Sequence, residues 1–161
     1  MKRLKRFMLV FPCALVLAGC AAGAGGGANP RYTRDFGRLL VPTLEEARLK
    51  VWAKHNWHLR RDENESQNVY WESEWRPFQP PEGAAITGPT EARGRIILRG
   101  RRVAGELDGG SQFRVTFVGE YEVRGGASPD WRPVEPPEDA VDVFEKVSSD
   151  LSLEVRTGVR R

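Results

Sequence analysis

The sequence predicts an α+β fold of two layers: an antiparallel sheet of four to five strands, with about two helices packed on one face. The clearest observation is the alternation over residues 113–124, where apolar residues or glycine occupy the odd positions and mostly polar residues the even ones. This pattern is typical of an antiparallel strand with one buried face and one hydrated face. Two stretches with apolar residues at helical spacing, 43–55 and 137–150, supply the helices that cover the buried face.

The predicted helices differ in the signals at their ends. Thr43 can cap the first helix, with Glu46 three residues later as the second half of a capping box. The second helix follows two prolines, and residues 153–155 either extend it or form a short edge strand. Residues 30–41 mix polar and apolar residues without a clear period, and we expect them to be an approach segment to a single domain over residues 42–161.

Strands are predicted between the two helices. The last two are joined by a hairpin turn at residues 108–110, because glycine adopts positive φ angles at little cost. A turn centred on the two glycines places Leu98 opposite Tyr121, with a bulge near Gly100. The predicted strands cover residues 57–60, 69–76, 93–103 and 113–124, and residues 77–91 form a loop rich in proline and glycine.

A ten-residue segment occurs twice, at residues 75–84 and 131–140, with seven identical positions. Each copy begins with Trp-Arg-Pro and continues to Pro-Pro-Glu. The structural interpretation is a tryptophan that anchors the end of a strand, followed by prolines that stiffen the exit. The alternative is a pair of proline-rich ligands for a recognition module.

The N-terminus has the features of an export signal. Basic residues at positions 2, 3, 5 and 6 precede an apolar run over residues 7–18, which is too short for a membrane-spanning helix. Leu17-Ala18-Gly19-Cys20 then resembles the lipobox of bacterial lipoprotein signal peptides. The resemblance implies cleavage between Gly19 and Cys20, removal of residues 1–19, and attachment of a diacylglycerol to the Cys20 thiol. The alternative is an ordinary secretory signal that is cut elsewhere.

Residues 20–41 follow as the lipidated cysteine, a tether and the approach segment. Residues 21–29 are almost all glycine and alanine and predict a flexible tether, with an r.m.s. reach of about 17 Å. Ala21, rather than aspartate, follows the cysteine, which in the Gram-negative lipoproteins that this segment resembles favours the outer membrane over the inner one. We therefore expect an exported protein anchored to a membrane through the lipid on Cys20.

The basic character of the whole chain comes from the signal. Four of the 25 Lys and Arg residues precede Cys20, whereas all 22 acidic residues follow it, so the mature chain has a formal side-chain charge of 21 minus 22, or −1. This balance gives no support for a nucleic-acid partner, and we expect none. Cys13 leaves with the signal and Cys20 is lipidated, which leaves the mature domain without a disulfide or a free thiol.

No residue pattern predicts an enzyme. His55 and His58, with Asp62 and Glu63 nearby, lack the spacing of a known metal site, and we expect structural or surface histidines with no metal or cofactor. No serine lies in a nucleophile motif, and the glycines at 23–27 lack the strand, helix and lysine of a phosphate loop. The sequence therefore predicts a non-enzymatic protein.

Arginines crowd the third predicted strand. Alternation places Arg95, Arg99 and Arg101 on its hydrated face. Because guanidinium groups bind phosphate and carboxylate well, this face is a candidate site for an anionic lipid or glycan. The alternative is a solvated face that Glu120 and Glu122 partly neutralise from the next strand.

The order of elements over residues 43–155 is generically similar to the helix-grip-like domains of small envelope lipoproteins, including accessory subunits of outer-membrane assembly machines. This resemblance implies a binding or scaffolding role in an envelope protein assembly. The sequence therefore predicts a non-enzymatic envelope lipoprotein with a protein partner. The alternative is a carrier or sensor of an anionic envelope ligand that uses the arginine face.

Overall fold

The computed structural model describes residues 31–81, 91–107, 110–126 and 128–158. The predicted signal, lipobox and tether, and residues 108 and 109 of the predicted turn, lie outside these residues. The predicted α+β class is confirmed, with a sheet of seven strands, more than the predicted four to five, and two helices. The elements are β1 (Tyr32–Leu40), α1 (Val41–Lys54), β2 (Leu59–Asn64), β3 (Asn68–Ser73), β4 (Arg76–Phe78), β5 (Glu91–Leu107), β6 (Gly110–Gly125), β7 (Ser128–Pro133) and α2 (Glu138–Gly158).

The long β5–β6 hairpin forms the centre of the sheet. The strand order is β1-β6-β5-β3-β2, and every pairing is antiparallel. The short strand β4 extends the β3 side by pairing with the start of β5, and β7 extends the β1 side by pairing with the end of β6. The sheet is therefore five strands wide, and two of its positions are each filled by two strands in succession.

Both helices cover one face of the sheet, which we call the inner face. Leu44 and Val51 of α1 and Phe144 of α2 join one buried cluster with Phe117 and Tyr121 of β6. Close approach is possible because the ring of Phe144 lies over a glycine of β6. A Cβ built at Gly119 would be 2.5 Å from Phe144 Cγ, a distance that real side chains do not adopt.

Residues 32–40, predicted to be part of an approach segment, are the strand β1. The register of β1 against β6 shifts between Asp35 and Gly37, and Gly37 has a φ of +73°, in the left-handed region that glycine tolerates best. This bulge adds one residue, so alternation is broken in the middle of the strand. Phe36 and Leu39 both pack against the core, while Arg38 turns to the opposite face.

The β5–β6 hairpin has the predicted faces but a different register. Leu98 lies opposite Phe117 rather than Tyr121, four residues away along β6. The irregularity that accompanies this difference lies between Arg102 and Glu106, not at the predicted position. Because side chains alternate with a period of two, an even shift leaves every side chain on the face predicted for it.

The helix boundaries also differ from the prediction. The first helix begins at Val41, with Pro42 in its first turn and no side-chain cap at Leu40, so the predicted capping box at Thr43 does not form. Proline suits this position because its missing N–H would have no partner there. The second helix continues to Gly158, which decides the alternatives for residues 153–155 in favour of the helix.

Candidate anion-binding face

The face of the sheet turned away from the helices, the outer face, carries the predicted site residues. Leu98 is fully buried on the inner face, so Arg95, Arg99 and Arg101 point outward by alternation. The prediction grouped these three arginines as one anion-binding face. The structure places Arg95 in a different environment from the other two.

Arg95 is held between two carboxylates. Its Nη1 lies 2.9 Å from Glu72 Oε1, and its Nη2 lies 2.7 Å from Glu120 Oε2. The two glutamate side chains are only 8% and 11% exposed, whereas the arginine is 20% exposed. The charge of Arg95 is therefore neutralised within the fold, and Arg95 does not belong to the free cationic surface.

Arg95 is also the first member of an alternating stack of arginine and tryptophan side chains, the Arg–Trp stack. Its guanidinium lies 4.3 Å from the centre of the Trp75 ring, and Arg93 lies 4.2 Å from the same ring. Arg93 is also 4.1 Å from the Trp131 ring, which Arg124 approaches to 4.7 Å. These distances are within the range of favourable cation–π contacts, so the stack ties β4 and β7 to the central hairpin.

The stack gives a structural reason for the repeated segment. Trp75 and Trp131 are the first residues of its two copies, and they approach the same hairpin from the β4 side and the β7 side. The proline two positions later lies opposite Arg93 in one copy and opposite Glu122 in the other. This arrangement favours the structural interpretation of the repeat over the proline-rich ligand.

The other end of the outer face carries arginines without acidic partners. Arg99 and Arg101 of β5 and Arg114 of β6, which we call the arginine patch, are exposed and line a depression of about 610 Å³. Within the described part of the chain, none of the three makes an ion pair or a hydrogen bond through its side chain. Neutral groups of Asn68, Tyr70 and Thr116 complete much of the lining.

Strand pairing aligns three arginines of this end side by side. Arg114 lies opposite Arg101 of β5 and also opposite Arg38 of β1. We call Arg38, Arg114 and Arg101 the arginine row. Like charges directly opposite each other on neighbouring strands are destabilising, so a bound anion would relieve repulsion that the fold leaves in place.

Few acidic residues lie near the patch, and two of them have partners other than the patch arginines. Glu63 Oε1 lies 2.6 Å from Arg61 Nη2, and Asp35 Oδ1 accepts a 2.7 Å hydrogen bond from the backbone N–H of Gly37. Glu65 also lines the depression, at its β2 side. Negative charge therefore lies on both sides of the patch, with Glu63 and Glu65 on the β2 side and Asp35 on β1, but none of these carboxylates forms an ion pair with a patch arginine among the described residues.

Tyr70 places a neutral polar group in the depression. Its hydroxyl donates a 2.7 Å hydrogen bond to Glu72 Oε2, which links the patch to the carboxylates that hold Arg95. Burial, with a further contribution from that hydrogen bond, raises the pKa of Tyr70 to about 12. The phenol is therefore protonated at neutral pH and adds no negative charge to an anion-binding surface.

The two histidines do not line this depression. His55 Nε2 lies 2.6 Å from Asp150 Oδ2, which also accepts a 2.8 Å hydrogen bond from Lys54 Nζ. These hydrogen bonds, from Lys54 first and His55 second, hold the pKa of the Asp150 carboxyl below its usual value. His58 is exposed. Over the described ranges, no group of three or more His, Cys, Asp or Glu side chains is placed to hold a metal ion.

No protein-family model matches the chain, and no curated protein matches it significantly. Among the residues that the structure describes, neither helix has the length and apolar composition needed to span a membrane.

Two residues of this surface were not among the predicted site residues. Arg114 carries a signal in the sequence, because it occupies an even, polar position of the alternating stretch 113–124. Arg38 carries none, because the bulge of β1 breaks the alternation that would reveal its face. The outer face also brings Glu72 beside Arg95 through the pairing of β3 with β5, which separates Arg95 from the patch.

Proposed function

We propose that this protein is a lipid-anchored, non-enzymatic binding protein of the bacterial cell envelope, and that the arginine patch binds a phosphate-bearing envelope ligand. The observation that carries the proposal is the set of exposed arginines that form no ion pair among the described residues, at one end of a hairpin whose other end pairs Arg93, Arg95 and Arg124 with glutamates. Guanidinium groups are the preferred protein donors for phosphate, to which they make two parallel hydrogen bonds.

The anchor is supported by the resemblance of residues 17–20 to a lipobox. Mass spectrometry of the mature N-terminus is expected to give a chain that begins at Cys20 and carries a diacylglycerol, in the outer membrane fraction. An unmodified Cys20, or a chain that begins at another residue, would contradict the lipoprotein assignment.

The patch is tested with the domain over residues 30–161, which contains every described strand and helix. Binding to vesicles with anionic lipid is expected to exceed binding to neutral vesicles and to weaken as salt is raised. Changing Arg99, Arg101 and Arg114 together to Gln is expected to weaken it at least about tenfold, since each arginine near an anionic surface contributes about 1 kcal/mol.

A matched control removes three positive charges elsewhere. Arg132, Lys146 and Arg156 are exposed and lie outside the depression. Their simultaneous change to Gln alters the net charge by the same amount and is expected to leave vesicle binding within about twofold of wild type. Equal losses in the two triple variants would show that binding depends on net charge and not on the patch.

A protein partner, which the sequence predicts ahead of an anionic ligand, is the second candidate here, and the edge strand β2 favours it. All six residues of β2 are exposed, and within the described part of the chain this strand pairs only with β3. An unpaired strand edge presents backbone donors and acceptors to which a partner can add a strand. A stoichiometric protein captured from detergent-solubilised envelope, through an interaction that the patch variant retains, would support this role.

A further inference from the structure

The arginine row has a geometry that one small anion does not match. Arg101, Arg114 and Arg38 lie at one register level on the successive strands β5, β6 and β1. Opposite residues on neighbouring antiparallel strands have Cβ atoms about 5 Å apart, so the three side chains start along a line of about 10 Å that crosses the strands. A single phosphate can be clamped by two neighbouring guanidinium groups but does not span all three.

The charges on either side of the row indicate the direction in which a bound anion extends. On the β3 side, the residue opposite Arg101 is the neutral Asn68, and Glu63 and Glu65 line the depression beyond it. Their negative charges oppose an anion that extends toward β2. On the other side the row ends with the exposed Arg38 on β1, the last strand of the sheet. Asp35 is the next outward residue of β1, opposite Thr116, so it lies beside the row and does not interrupt the line of arginines. An extended anion is therefore favoured from the depression toward Arg38.

The bulge in β1 is what places Arg38 in the row. Without the extra residue, the register of Tyr32–Asp35 would continue and turn Arg38 toward the helices and Leu39 toward water. The shift at Gly37 reverses both, so that Leu39 packs against the core and Arg38 lies beside Arg114. Re-aiming a side chain is a recurring use of bulges near binding sites.

We propose that the ligand of this face carries two or three phosphate groups in line and lies across β5, β6 and β1, with successive phosphates on successive members of the arginine row. This inference rests on the proposed anion-binding function and adds the ligand class, a polyphosphorylated compound rather than a monophosphate. Arg99, one level along β5 from Arg101 and opposite Thr116, adds positive charge beside the line without extending it.

The test is calorimetric titration of the full-length protein in non-ionic detergent with orthophosphate, pyrophosphate and tripolyphosphate at constant ionic strength. Tripolyphosphate is expected to bind at least about tenfold more tightly than orthophosphate, because it engages a further one or two arginines. In the Arg38→Gln variant, tripolyphosphate binding is expected to weaken about tenfold while orthophosphate binding changes less than about twofold.

Arg31→Gln is the matched control, because Arg31 precedes β1, pairs with Glu120 and lies outside the row. It is expected to leave the affinities for all three phosphates unchanged. Equal losses in Arg31→Gln and Arg38→Gln, or equal wild-type affinities for the three phosphates, would overturn the row while leaving anion binding intact. Absence of binding to any of them would overturn the proposed function as well.

Two further titrations distinguish the source of the phosphates. One uses a water-soluble short-chain lipid with two phosphates, the other an oligosaccharide with two phosphates, and each is compared with its own monophosphate. Tighter binding of either bisphosphate than of its monophosphate supports the row, and the compound with the larger ratio identifies the source. Ratios of one in both titrations would contradict the proposal.

Discussion

Replacing Phe144 by alanine is expected to lower the free energy of unfolding by about 3–5 kcal/mol, the usual cost of removing a buried phenylalanine ring. Phe144 is fully buried, and its ring centre lies 5.8 Å from that of Phe78 and 6.0 Å from that of Tyr32. Phe144 therefore fills the space between α2, β4 and β1, with its ring where a side chain of residue 119 would otherwise lie. Urea denaturation of the wild type and the Phe144→Ala variant measures the loss, provided that the two proteins unfold with the same m value.

Leu153→Ala is the control on the same helix. Leu153 is 60% exposed, so its truncation is expected to change stability by less than about 0.5 kcal/mol. Gly119→Ala tests the same packing from strand β6, because its new methyl group would collide with Phe144. Gly100→Ala is its control, because the nearest contact of that new methyl group is at 3.4 Å. Similar losses for Phe144→Ala and Leu153→Ala would contradict the packing of α2 described above.

The faces of the central hairpin could be predicted from sequence because alternation is a local property. Residues 113–124 show which side chains face the helices without any knowledge of their partners. The register was wrong because alternation specifies pairing only to within an even number of residues. The irregularity between Arg102 and Glu106, which decides among the remaining registers, has no signature in the apolar pattern.

Strands β1, β4 and β7 could not be predicted from the sequence, for physical reasons that differ between them. In β1 the bulge at Gly37 puts Phe36 and Leu39 on one face, a spacing that resembles a helix more than a strand. β4 and β7 are short and carry prolines, which normally indicate a loop. They become strands because the Arg–Trp stack and the edges of the long hairpin hold them in place.

The candidate site was predicted in part. Arg99 and Arg101 could be assigned to an open cationic face from their own strand. The arginine row could not, because Arg38 and Arg114 reach Arg101 only through pairings between distant segments. The same limitation hid the difference between Arg95 and its neighbours, since Glu72 comes from a strand more than twenty residues earlier in the sequence.

Changing Arg95 to Gln is expected to lower the free energy of unfolding by about 3 kcal/mol, because it leaves two nearly buried carboxylates without their shared cation. Glu72 and Glu120 both lie within 3 Å of the Arg95 guanidinium, at 2.9 and 2.7 Å. The loss is placed at the lower end of the range for broken buried pairs because Arg95 is 20% exposed. Thermal and urea denaturation measure it.

Arg99→Gln is the matched control, two outward positions further along β5, beyond Ile97. Arg99 is exposed and forms no ion pair within the described ranges, so its change is expected to shift stability by less than about 1 kcal/mol. Adding Glu120→Gln to Arg95→Gln is expected to restore part of the stability, since it removes one of the two carboxylates that lose their shared cation, although Arg31 stays 3.2 Å from Glu120 and Arg60 3.6 Å from Glu72. Equal stabilities of the Arg95→Gln and Arg99→Gln variants would show that the outer face is uniform, and that the distinction between paired and free arginines, on which the assignment of the patch depends, is wrong.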